Sequence, residues 1–347
     1  MRILLIGNFG PGYEEESLHN ISFMKKLESD GHNCTVINTS EIPATENKFI
    51  ETRSFFNFLT TLIKACRNQD VVHFSTKGYL RMGLLKLMIS IFVGTLFRAK
   101  TFITIHSELF SIQAQLRSSL GGRQTLFASF KMADKIICAD RDTYDVATTY
   151  MRKSNFELIH SFIHFPEETT KDGEIMLEKL KPMEKVIVFS NVLFPSFTFD
   201  ILNKFLTDYP IPSDTAIVVA VTEKSTSKIS KLLEEEGNTV GANLILIDAD
   251  NFNSVMAAHS RADIILRPLS CEGSTYFEPF AVSVKKTLRS DSYMYFPSGL
   301  LFIKEGDTSE MCACIINTLL CVDSGQLPEI KDRHSYPRLL NLYQDKD

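Results

Sequence analysis

Twice along this chain, short apolar runs alternate with segments of helical period, and that alternation limits the fold more than any other feature. In the first series Ile3–Gly7, Cys34–Ile37, Val71–Phe74, Thr101–His106, Lys135–Ala139 and Glu157–His160 are strand-like. Between them Glu16–Gly31, Phe55–Arg67, the apolar stretch Leu80–Arg98, a stretch near 110–132 and residues 141–151 carry helical spacing. Strands separated by helices of about ten to fifteen residues are the mark of βαβ units and a parallel sheet. The second series predicts strands at Val186–Phe189, Ala216–Val221, Leu244–Ile247, Ile264–Leu266 and Leu301–Ile303. Its helices are expected at Phe199–Leu206, Ser225–Glu236, Asn251–His259, around 279–287 and at Ser309–Val322.

Between Phe165 and Lys185 the alternation breaks into Pro-Glu-Glu-Thr-Thr-Lys-Asp-Gly and a charged stretch, the best candidate for a linker. A length of 347 residues also exceeds one core, at roughly 150 residues per domain. The expected organisation is a Rossmann-like α/β domain over 1–165, a linker over 166–184, a second such domain over 185–326 and a closing segment 327–347. Two doubly wound halves with parallel sheets facing across a cleft would form a site for a nucleotide and a second substrate.

Within the second series, Ala262-Asp-Ile-Ile-Leu-Arg-Pro-Leu-Ser-Cys-Glu-Gly-Ser-Thr-Tyr-Phe-Glu278 carries the densest chemistry. It reads as an apolar strand running into a proline, then a small-residue turn flanked by Glu272 and Glu278. Open α/β sheets bind ligands at such a carboxyl edge, where helix N-termini and backbone N–H groups converge.

Composition narrows the setting. Residues 1–165 hold 19 basic and 15 acidic side chains and the remainder 18 and 27, so the first half is net positive within a chain of net charge −5. This asymmetry suits either an anionic partner on the first half or solvated faces that merely differ in sign. Seven cysteines, with no CxxC pair and no His or Cys at metal-ligand spacing, point to reduced thiols in a cytoplasmic protein with no metal site. Between Lys86 and Arg98 only 11 residues are uncharged, short of the roughly 20 that a spanning helix needs. That segment is either a packed interior helix or an interfacial one, with Lys77, Arg81, Lys86, Arg98 and Lys100 meeting anionic headgroups.

Taken in order, several pieces resemble GT-B glycosyltransferases, most closely the retaining enzymes of glycosyltransferase family 4 that build bacterial surface polysaccharides. They are the opening strand and glycine turn Arg2–Gly12, Thr-Ile-His106, Ala133-Asp-Lys-Ile-Ile-Cys-Ala, Leu158–Pro166, Ala262–Pro268 with Glu272-Gly-Ser, and Leu301–Asp307. The resemblance covers nearly the whole chain. It implies transfer of a sugar from a nucleotide-diphosphate sugar to an acceptor hydroxyl with retained anomeric configuration, the donor in the second domain and the acceptor against the first. It implies no cofactor and no metal, because the departing diphosphate carries the reaction and the protein stabilises its charge and positions the acceptor oxygen. It further implies that residues 327–347 return as a helix to the first domain.

On this resemblance His106 and Glu272 are the catalytic candidates. Arg267, Gly273, Ser274, Thr275, Glu278, Ser190, Asn191 and Lys224 are the donor-binding ones, and Gly10 and Gly12 form an acceptor or phosphate turn. Each has a plainer alternative: His106 a strand-end hydrogen bond, Glu272 a helix cap, Arg267 an ion pair, and the glycines a turn requiring positive φ. Two departures from the family pattern stand out. The glutamates Glu272 and Glu278 are separated by five residues where the family has seven, and a one-residue shift turns a helical side chain by about 100°. Asn191 and Phe197 occupy the places of an arginine and a lysine that clamp the diphosphate, contacts worth about 2.7–4 kcal/mol each.

The resulting expectation is a glycosyltransferase acting on a lipid-linked or glycan acceptor, with peripheral contact at the inner face of the plasma membrane through residues 77–100 and no nucleic-acid partner. A non-catalytic GT-B scaffold that binds a partner glycosyltransferase or a glycan is the competing reading, favoured by the missing cations. A nucleotide-sugar epimerase is a third.

Overall fold

The computed structural model describes residues 1–10, 15–40, 48–52, 54–76, 81–106, 122–139, 141–150, 155–159, 161–164, 170–189, 202–203, 206–207, 212–221, 243–248, 251–268, 280–284, 293–295 and 335–344. The chain divides into two compact units, Met1–His164 with Lys331–Asp347, and Phe165–Ile330.

The first unit runs β1 (Arg2–Gly7), α1 (Glu15–Ser29), β2 (Asn33–Asn38), β3 (Ile50–Glu51), α2 (Phe55–Cys66), β4 (Val71–Thr76) and α3 (Arg81–Leu96). It continues with β5 (Lys100–Ile105), α4 (Gly122–Met132), β6 (Lys135–Cys138), α5 (Arg141–Tyr150), β7 (Phe156–Leu158) and the short β8 (Phe162–His164). Seven strands pair in the order β3-β2-β1-β4-β5-β6-β7, all parallel. The order reverses between β1 and β4, so connections from those two strands leave to opposite sides. That is the switch point where such sheets leave a crevice. Gly7 ends β1 there because nothing larger fits: an added Cβ would lie 2.9 Å from Asn20 Nδ2 and 3.0 Å from Ser75 Cβ.

A sheet covered on both faces needs strands that are apolar throughout, which is why Ile3, Leu4, Leu5 and Ile6 are all buried. On one face Phe58 and Leu62 of α2, Leu84, Leu87 and Ile91 of α3, and Leu126 and Phe130 of α4 pack over Leu4, Val72, Ile103 and Ile136. The helix α3 approaches the sheet closely at Gly94, where an added Cβ would lie 2.8 Å from Thr101 Cγ2 and 3.2 Å from Val72 Cβ. This helix is therefore a packed element of the core, and it also leaves Met82, Phe92 and Leu96 exposed. No described helix is long and apolar enough to cross a membrane.

In the second unit α6 (Lys171–Leu180), β9 (Lys185–Phe189), β10 (Thr215–Val221), β11 (Leu244–Asp248), α7 (Phe252–Arg261), β12 (Ile264–Pro268), β13 (Phe280–Val284) and β14 (Tyr293–Tyr295) follow in order. Its sheet has the order β11-β10-β9-β12-β13, with β10 buried along its whole length. The broken pattern after Phe165 contains a capped helix: the Thr170 hydroxyl accepts from the Gly173 N–H, and Met176 and Leu180 are buried. Gly173 faces α7, where an added Cβ would meet Asn253 O at 3.6 Å and Ala257 Cβ at 3.8 Å, ordinary contact distances. The local signals of α6, the Thr170 cap, Asp172 and Glu174 in the first turn and apolar residues at 176, 177 and 180, lie inside a stretch whose proline and charge read as a linker.

The helix expected around 279–287 is instead β13, antiparallel to β12 with Arg267 opposite Ala281. Phe-Ala-Val-Ser-Val alternates at period two with branched residues at 282 and 284, and the open edge of β12 satisfies its backbone. The second sheet thus ends in an antiparallel strand. Of the stretch expected as a helix over Phe199–Leu206, residues 202–203 and 206 are described and helical. The elements expected at Ser225–Glu236, Leu301–Ile303 and Ser309–Val322 lie outside the described residues.

After the second unit the chain returns to the first as α8 (Ser335–Gln344), which buries Tyr336, Leu339 and Tyr343. Two phenolic hydroxyls anchor it: Tyr336 donates to Asp30 Oδ2 at 2.5 Å, and Tyr343 hydrogen-bonds His73 Nδ1.

Candidate functional site

At the carboxyl edge of the first sheet β4 and β5 end side by side, with Ser75 opposite Thr104, and His106 follows β5 two residues further on to meet Ser75. The His106 ring is 2% exposed. Its Nε2 lies 2.9 Å from Ser75 Oγ and its Nδ1 3.1 Å from Ser161 Oγ. A hydroxyl both donates and accepts, so this serine pair can serve either imidazole tautomer by rotating its protons. The ring of His19, from α1, meets His106 edge to face with centroids 5.2 Å apart. Strand alternation predicts the place of His106. Nothing in the sequence reveals Ser75, Ser161 or His19 as its neighbours, which are 31, 55 and 87 positions away in the chain.

The turn after β1 is tied down from several sides. The Asn8 N–H donates to Glu16 Oε1 at 3.3 Å, the Phe9 N–H to Asn38 Oδ1 at 3.0 Å and the Gly10 N–H to Asn8 Oδ1 at 3.0 Å. Ser17 Oγ donates to the Gly10 carbonyl at 2.7 Å, and Asn20 Nδ2 to the Asn8 carbonyl at 3.0 Å. Fully buried Asn38 donates in turn to both carboxylate oxygens of Glu51 at 3.1 Å. The Gly10 N–H is thus engaged within the unit, and Gly12 lies outside the described residues. Glu16 bonds the turn directly, and Glu51 reaches it through Asn38.

One layer further in, His73 on β4 is fully enclosed. Its Nε2 lies 2.7 Å from Thr104 Oγ1, and its Nδ1 meets the Tyr343 hydroxyl. Burial, helped by nearby His19, drives its pKa from the ordinary 6.5 to about 3, while burial raises the Tyr343 phenol well above its usual value. Both are neutral at ordinary pH and serve to hold α8. Burial likewise pushes the Cys34 and Cys66 thiols up to about 12, which leaves them protonated and unreactive.

In the second unit β9 and β12 are parallel neighbours, with Phe189 opposite Leu266, so both strands end at one edge of the sheet. Arg267 stands on β12. The remaining candidates named from the sequence, Glu272, Gly273, Ser274, Thr275, Glu278, Ser190, Asn191 and Lys224, lie outside the described residues. Among the described residues no three His, Cys, Asp or Glu side chains are grouped as metal ligands.

No protein-family model and no curated protein matches the sequence. Solved structures do resemble the fold. The UDP-GlcNAc 2-epimerase of Methanocaldococcus jannaschii is 8% identical over 77% of this chain and 78% of its own, with a TM-score of 0.50. HepE of Anabaena, in complex with UDP-glucose, is 12% identical over 76% of this chain and 73% of its own, with a TM-score of 0.48. Sucrose-phosphate synthase of Thermosynechococcus elongatus is 14% identical over 76% and 74%, with a TM-score of 0.46. At such identities the likeness is one of fold alone. Two α/β units on predominantly parallel sheets, matched over three quarters of the chain, show that this protein has the GT-B fold.

Proposed function

We propose that the protein is a retaining glycosyltransferase that moves a sugar from a nucleotide-diphosphate sugar to a hydroxyl of a lipid-linked or polysaccharide acceptor, in the manner of glycosyltransferase family 4. The observation that carries this reading is His106, enclosed at the carboxyl end of β5 between Ser75 and Ser161 in a GT-B fold. A UDP-GlcNAc 2-epimerase with the same fold is named for a nucleotide-sugar substrate, which supports the substrate class. The acceptor hydroxyl is assigned to the first unit and the donor to the second. In that assignment Arg267, Ser190, Asn191 and Lys224 contact the diphosphate, Gly273, Ser274 and Thr275 supply turn N–H groups, Glu278 meets the ribose and Glu272 the sugar. The reaction uses no metal or other cofactor.

The protein is assigned to the cytoplasm, at the inner face of the plasma membrane. Helix α3 packs against both α2 and α4, and these helices expose Phe56 (80%), Met82 (52%), Phe92 (56%), Leu96 (67%) and Phe127 (44%), with Arg98 following α3. Exposed aromatic and aliphatic groups beside a cation fit an anionic lipid surface.

One observation favours a non-catalytic scaffold: Asn191 and Phe197 stand where the family clamps the diphosphate with cations. Titration with UDP-, GDP- and CMP-sugars separates the readings. A melting shift with one nucleotide, together with slow release of free sugar in the donor's own anomeric configuration, supports the enzyme. No shift with any of them defeats it and leaves the scaffold. Conversion of the bound sugar to its epimer, without release, replaces it with an epimerase.

A further inference from the structure

Behind His106 the described rings form a continuous series. His19 meets His106 edge to face, and one turn along α1 Phe23 stacks beneath His19 with centroids 5.9 Å apart and planes 13° apart. Phe23 in turn meets His73 at 5.9 Å and both tyrosines of α8, Tyr336 and Tyr343, at 6.0 Å. Tyr343 also packs on Phe102 at 4.7 Å. His19, Phe23, His106 and Tyr343 are each buried. Aromatic pairs at such separations prefer defined mutual angles, so each ring restricts its neighbour.

Ser75 and Ser161 each lie within hydrogen-bond distance of one ring nitrogen of His106, and the edge-to-face contact of His19 adds a steric restraint on the orientation of the ring. We propose that His19 is a positioning residue for His106, setting the tilt of its ring, and that docking of α8 through Tyr343 and Phe23 holds His19 in place. The C-terminal helix is then part of the catalytic apparatus without touching a substrate. The catalytic half of this statement rests on the glycosyltransferase reading. The positional half does not.

The test is the ring resonance of His106 in histidine-labelled full-length protein, identified by its loss in His106→Gln. In His19→Leu, which keeps bulk but removes the ring, the signal is expected to shift or split, and His19→Phe should restore it. Tyr343→Leu should reproduce the shift while Tyr343→Phe, which keeps the ring, should not. Phe23→Leu replaces Tyr343→Leu if that variant does not fold. Val255→Ala, buried in the second unit, is the control for general destabilisation. An unchanged signal in His19→Leu, or an equal shift in Val255→Ala, overturns the assignment of His19. An unchanged signal in both Tyr343→Leu and Phe23→Leu removes α8 from it. With a turned-over nucleotide sugar, His19→Leu should lose about tenfold to a hundredfold in kcat at nearly constant donor KM, as expected for misplacement of a reacting group. If the unaltered protein turns over no nucleotide sugar, the enzymatic reading fails while the resonance still decides the positional one.

Discussion

At the scale of single residues, two buried histidines of the first unit, on β4 and at the end of neighbouring β5, are held in different ways. His106 has hydroxyl partners that accommodate either tautomer, whereas His73 is locked between Thr104 and Tyr343. Ser161→Ala leaves a buried ring nitrogen without its hydroxyl and should cost about 1–3 kcal/mol in chemical denaturation. His73 makes the stability pH-dependent. Its folded pKa of about 3 lies below the ordinary 6.5, so between those values the unfolded chain binds a proton that the folded chain refuses. Stability is fully present above about pH 6.5 and falls as the pH drops through the window, by about 1.4 kcal/mol per unit from this group. The urea midpoint measured from pH 7 to pH 4 should decline less steeply in His73→Gln than in the unaltered protein.

At the scale of elements, α3 shows how one helix is fitted and ended. Gly94→Ala forces a methyl group to within 2.8 Å of Thr101 Cγ2 and should cost about 1–3 kcal/mol by overpacking. The helix ends with the Ala99 N–H bonded to the Gly94 carbonyl and with Arg98 at φ 61, a left-handed conformation that suits glycine. Arg98→Gly should therefore stabilise the protein by about 1 kcal/mol, read as a higher urea midpoint. Were α3 to meet lipid, Phe92→Asp would abolish sedimentation with anionic vesicles and leave the melting temperature nearly unchanged. Equal sedimentation of both proteins would exclude that contact.

At the scale of the whole molecule, the expected outcome is linkage between ligand and fold. A nucleotide sugar at a hundred times its Kd should stabilise the native protein by about 2.7 kcal/mol, measured as a rise in melting temperature. Arg267→Ala should abolish that rise if the donor occupies the second unit. The C-terminal helix belongs to the same scale, because α8 follows the second unit in sequence yet is buried in the first.

The amino-acid sequence by itself determined the alternating α/β architecture, since covered parallel strands must be apolar along their length and helices must carry one apolar stripe. Val71–Phe74, Thr101–His106 and Ala216–Val221 could be placed for that reason, and His106 with them. Local pattern stops where partners are distant. That Phe280–Val284 is a strand depended on the open edge of β12, whereas Lys171–Leu180 carries its own cap at Thr170 and apolar residues at 176, 177 and 180 within a stretch that otherwise reads as a linker. The contacts around His106 were decided by tertiary structure alone. Ser75 reaches it from β4, Ser161 from beyond β7 and His19 from α1, and no periodicity in one segment encodes a contact made by three others.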